Sequence, residues 1–129
     1  MRDPRLDVLA ANLLDYSLAL QAGEKVLIEG DTHSRDLMIA LVEHAYRLGA
    51  LPFTFVGDDG LRRAWLLGAT REQMDLQVGW GVARMRDVDA SVYILGGDNA
   101  SALADVPPGT LEASRLASEP LLTLSLAKK

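Results

Sequence analysis

A chain of 129 residues, 49% of them hydrophobic, is long enough to bury a substantial core as one domain and too apolar to stay disordered. Its net charge of −5 and pI of about 4.9 exclude a nucleic-acid or anionic-membrane surface, which needs clustered Lys and Arg. Cysteine is absent, which removes disulfides, thiolate metal sites and a cysteine nucleophile. No apolar stretch approaches a membrane span, and the N-terminus lacks a basic segment followed by an apolar one, so a soluble cytoplasmic protein is expected.

The first element is a helix. Asp3 caps it, and Pro4 suits its first position, where the missing N–H would be unpaired in any case. Leu6, Leu9, Ala10, Leu13, Leu14 and Ser17 recur at three and four residues, one apolar stripe ending near Gly23. Lys25–Glu29 is a short apolar run between Gly23 and Gly30, as in a strand covered on both faces. A second helix spans Ser34 to Leu48, with Leu37, Leu41, Ala45 and Leu48 on one face and Gly49 to stop it. Pro52 opens a second strand, Phe53–Val56. The intervening helix makes the pair a parallel strand-helix-strand unit.

Between Asp58 and Val88 the pattern is helical. One helix runs from Leu61 to Leu67, and a second is capped by Thr70, with Met74, Val78, Val82 and Met85 at helical spacing. Ser91–Leu95 reads as a third strand and Pro107-Pro108-Gly109 as a rigid turn. Thr110 caps a helix to Ser118, and the alternating Leu121–Leu126 reads as a fourth strand. The expected architecture is a single α/β domain over residues 1–129: a doubly wound, mostly parallel sheet of about four strands with helices on both faces. No repeat or linker divides it.

Candidate sites are few. Asp31, His33 and Asp36 follow the first strand, where open α/β sheets bind ligands, and three such donors suffice for one metal. The same residues are ordinary helix-entry caps, which is the simpler reading. His44 fits the edge of an apolar helix face, and Asp58-Asp59 fits a turn or cap. If the first and third strands are neighbours, the turns at Gly30 and at Gly97, Asp98 and Asn99 flank a crevice at the switch point of the sheet. A small-ligand module is the corresponding function. Trp65 and Trp80 are candidates for an interface, since each can cover a large area. Gly79-Trp80-Gly81 inside a helical pattern costs about 2 kcal/mol relative to alanines, so either the helix breaks there or another surface packs closely.

Several segments stand in a familiar order and spacing: Asp3-Pro4-Arg5-Leu6, Leu13-Leu14-Asp15-Tyr16-Ser17, Gly23-Glu24-Lys25-Val26, Gly49-Ala50-Leu51-Pro52, Asp89-Ala90 and Gly97-Asp98-Asn99. Together they resemble the N-terminal domain of the thermophilic-type metallo-aminopeptidases, the aminopeptidase T and aminopeptidase S group. That resemblance implies an intact enzyme that removes N-terminal residues from peptides with two divalent ions, cobalt, zinc or similar. It places every ligand in a larger catalytic domain following the segment that matches Leu121–Leu126, so no catalytic residue is assigned to this chain. It also implies packing against that catalytic domain and support for a homo-oligomer. Iron-dependent ring-cleaving dioxygenases are related to this family, and their front domain would look alike.

Overall fold

The computed structural model describes residues 3–95 and 103–127. Helix α1, Pro4–Asn12, runs into a wider π-helical turn, Leu13–Ser17. Its start is as the sequence predicts: the Asp3 carboxylate accepts from the Arg5 N–H at 2.9 Å. Strand β1, Lys25–Asp31, extends one residue beyond Gly30 and passes through a 3-10 turn, Thr32–Ser34, into α2, Arg35–Arg47. Gly49, at φ +77°, ends the turn after α2, and β2 follows as Leu51–Gly57.

Helices α3, Asp59–Gly68, and α4, Arg71–Asp87, carry the chain to β3, Ala90–Tyr93. Both are capped where the sequence indicates: Asp58 accepts from the Leu61 N–H at 3.0 Å, and Thr70 Oγ1 from the Gln73 N–H at 3.1 Å. The last element is α5, Pro108–Ala127. No helix among the described residues is long and apolar enough to cross a membrane.

The α/β class holds, with three parallel strands among the described residues in the order β2-β1-β3. The expected fourth strand is instead the second half of α5, and Thr110 lies inside the first turn of that helix rather than capping it. The alternating leucines of 121–126 mimic a strand period. Leu121 and Leu124, three residues apart, pack on Leu27, Met85 and Val88, whereas Leu122 and Leu126 are exposed. That is a helical division of labour. Pro120 sits inside the helix; its missing N–H removes one helical bond, but α5 continues because its next turn is anchored on the sheet.

Helices cover both faces. Val26, Ile28 and Ala90 point toward α1 and α2, joining Ala10, Leu14, Leu41 and Ala45 in the main core. Leu27 points the other way, under α4 and α5. A third cluster, Leu66, Met74, Val106 and Ala117, ties α3, α4 and α5 together, with Trp65 packed against it.

The two glycines flanking Trp80 have different explanations. Helix α4 does not break: it runs unbroken through Gly81, where a β-carbon would stand 2.8 Å from Leu121 Cδ2. At Gly81, therefore, α5 packs closely on α4. Gly79 has open space around it. We expect Gly79→Ala to raise stability by about 0.5–1 kcal/mol in urea unfolding, the usual gain for alanine over glycine in a helix interior. Gly81→Ala is expected to return less than that, because the side chain of Leu121 must first move.

Candidate functional site

Strand β1 lies between β2 and β3, so the chain leaves it toward opposite edges and a crevice opens where the carboxyl ends of the strands diverge. A cavity of about 310 Å³ occupies that place, lined by Gly30, Asp31, Asp58, Asp59, Arg62 and Tyr93, among others. Gly30 and Asp31 are thus at the crevice the sequence points to. Gly97, Asp98 and Asn99 lie outside the described residues. Asp58, Asp59 and Arg62 were not foreseen as lining; they arrive because β2 ends beside β1, and only strand order reveals that.

Gly30 is constrained by packing. A β-carbon there would lie 3.0 Å from Met38 Sδ, 3.2 Å from Ser34 Cβ and 3.5 Å from Ile94 Cβ. Its smallness lets the start of α2 settle onto the end of β1.

The Asp31, His33, Asp36 spacing does not gather three donors. Asp31 Oδ1 accepts from the His33 backbone N–H at 2.9 Å and from Ser34 Oγ at 3.3 Å, the work of a helix cap. The Asp36 carboxylate lies 3.4 Å from Arg35 Nη1 on the exposed surface. Among the described residues, no group of three or more His, Asp or Glu side chains is arranged to hold a metal ion. Asp31, His33 and Asp36 therefore do not form the single-metal site that their spacing allows.

His44 has a partner that sequence spacing does not reveal. Its Nε2 is 2.9 Å from Asp15 Oδ1, joining α2 to the π-helical turn across 29 residues. Both side chains are largely shielded, at 16% and 35% exposure, so this pair serves to hold α1 and α2 together.

The two tryptophans part company. Trp65 is a core residue, half-buried on the α3 side. Trp80 is 69% exposed, the opposite of a residue covering the core. One helical turn beyond it, the Arg84 guanidinium sits 4.6 Å from the centre of the Phe55 ring, a cation–π geometry. Arg84 Nε is buried with no hydrogen-bond acceptor among the described residues. Nearby Glu29 is half-buried, and burial pushes its carboxyl above the ordinary value, the Arg84 charge pulling it partly back.

The sign of the resulting pH dependence follows from proton binding. A carboxyl raised in the folded state holds its proton more tightly than in the unfolded chain, so it subtracts stability as pH rises from the ordinary carboxylate value through the folded one. Asp105 and Glu112, lowered by Arg63 and Arg115 respectively, act in the opposite sense at lower pH. The difference between parent and Glu29→Gln isolates Glu29. We expect that difference to shift in favour of the variant as thermal unfolding is followed from pH 4 to pH 7; an unchanging difference would show Glu29 to be ordinary.

Comparison with known proteins agrees with this fold. A thermophilic metalloprotease (M29) family model matches residues 2–128. This chain belongs to the thermophilic metalloprotease family M29. It is 33% identical over 107 residues to aminopeptidase T of Thermus thermophilus, a match covering 80% of this chain and 26% of that protein. The solved structure of wild-type AmpT from Thermus thermophilus superposes with a TM-score of 0.74 at 26% identity, over 95% of this chain and 32% of that one. The chain therefore spans about a quarter to a third of the length of these relatives.

Proposed function

We propose that this chain is the N-terminal, non-catalytic part of a two-metal aminopeptidase, a cytoplasmic enzyme that hydrolyses N-terminal residues from peptides. The observation that carries this is the metalloprotease family match along residues 2–128, with a curated relative of which the match spans only a part. Aminopeptidase T is long enough to hold its chemistry elsewhere, since the match covers only 26% of it. In this assignment the present chain supplies a rigid α/β body that packs against the metal-binding part and shapes access to it.

The test is hydrolysis of leucyl-p-nitroanilide by the 129-residue chain, with and without added Co²⁺ or Zn²⁺. No turnover above the metal-only blank is expected. Metal-dependent turnover that disappears in His33→Ala would overturn the assignment and make Asp31, His33 and Asp36 a working site.

One observation favours a second function, a free-standing small-ligand module: the crevice of about 310 Å³ at the switch point of the sheet. With Asp31, Asp58 and Asp59 in its lining, its ligand would be neutral or cationic rather than a phosphate.

A further inference from the structure

Strand β2 is only partly covered on its two faces, and its outer edge pairs with no strand among the described residues. On the α4 and α5 face, Leu51, Phe53 and Phe55 are 47%, 52% and 49% exposed, although Leu27, the β1 neighbour of Phe53, is buried. On the α2 face, an open groove of about 540 Å³ runs between α2 and β2, lined chiefly by Met38, Ile39, Val42, Tyr46, Pro52 and Val56. Along the edge itself no further strand pairs with β2 among the described residues. The Leu51 N–H donates inward to the Glu24 carbonyl at 2.8 Å, so the alternation of a strand turns the peptide groups of Pro52, Thr54 and Val56 outward. Pro52 has no N–H to offer there, and the outward side of an edge strand is one of the few places in a sheet where proline is tolerated.

Arg84, whose Nε is buried without an acceptor among the described residues, lies over Phe55 of this strand, and the exposed Trp80 stands one helical turn before it on α4. Aromatic residues and arginine clustered at a partly desolvated patch are the composition of an interface centre. We infer that the outer side of β2, together with Trp80 and Arg84, is the seat of the metal-binding part of the parent enzyme, an inference that rests on the parentage proposed above.

Size supports this occupant. The matched stretch is 32% of the solved relative, leaving roughly twice as much polypeptide outside it, enough for a body that wraps both faces of an edge strand. A peptide or small ligand covers one face only. A second copy fits less well: pairing β2 with its own antiparallel mate deprives each strand of a ladder bond at Pro52, and both copies carry a net charge of −5. The expected partner surface is apolar, with a carboxylate or carbonyl placed for Arg84.

The experiment mixes this chain with the polypeptide of Thermus thermophilus aminopeptidase T that lies outside the matched stretch. Binding of the relative's own matched stretch serves as the positive control. The parent chain is expected to bind. Phe53→Lys with Trp80→Lys is expected to lose about tenfold or more in affinity, while Val8→Lys, on α1 and 62% exposed, binds as the parent does. Circular dichroism melting shows that each variant is folded. If parent and double variant bind equally, the seat lies elsewhere and the parentage survives. If the relative's own stretch binds and this chain does not, the parentage itself falls. A dimer of this chain alone in sedimentation equilibrium, broken by the double variant, would give the surface to a second copy and overturn the proposal.

Discussion

Leu41→Ala is expected to lose about 3–4 kcal/mol of folding stability, the range for a fully enclosed leucine whose cavity cannot collapse. Leu41 is 0% exposed and stands on α2 in the main core with Ile28 of β1, Ala10 of α1 and Leu14 of the π-helical turn. Rigid elements therefore surround it on several sides, and the space left by truncation has no flexible neighbour to fill it. An ordinary domain holds about 5–15 kcal/mol in total, so this one change removes a large share. Urea unfolding followed by circular dichroism measures it. Leu61→Ala, at a position 73% exposed, is the control and should shift stability by less than about 0.5 kcal/mol. Equal losses at the two positions would mean that α2 does not pack as described.

The second large effect belongs to the end of the chain. Leu121→Ala combined with Leu124→Ala is expected to lose about 2–4 kcal/mol, since both half-buried side chains rest on Leu27, Met85 and Val88 and each truncation removes buried methyl groups. Leu122→Ala combined with Leu126→Ala should change stability little, both positions being exposed. A strand over the same residues would set Leu122, Leu124 and Leu126 on one face. Loss concentrated at 122, 124 and 126 would therefore restore the strand and remove the helix.

What was legible in the sequence was local. Asp3, Asp58 and Thr70 act as caps because a helix start is decided by the residues within one turn of it. The three strands were readable as apolar runs bounded by glycine or proline. Leu121–Leu126 misled because a run of alternating leucines satisfies both periods over six residues. The choice was made by packing against Leu27 and Gly81, which lie far away in sequence. Asp31, His33 and Asp36 were legible as polar residues at the end of a strand, but their directions depend on the 3-10 turn that follows. The Asp15 contact with His44 and the Arg84 contact with Phe55 left no sequence signal, since each joins elements whose adjacency is a product of the fold.

The central position of β1 also sets an order of events in synthesis. Its pairing with β2 needs only the helix between them, and both strands have been made once residue 57 is complete. Its other side waits for β3: the Lys25 N–H donates to the Asp89 carboxylate at 2.8 Å across 64 residues. Closing so long a loop is entropically slow. A nascent chain thus carries a half-formed sheet with one side of β1 unpaired while α3 and α4 are being translated. That is the interval in which a chaperone has most to protect.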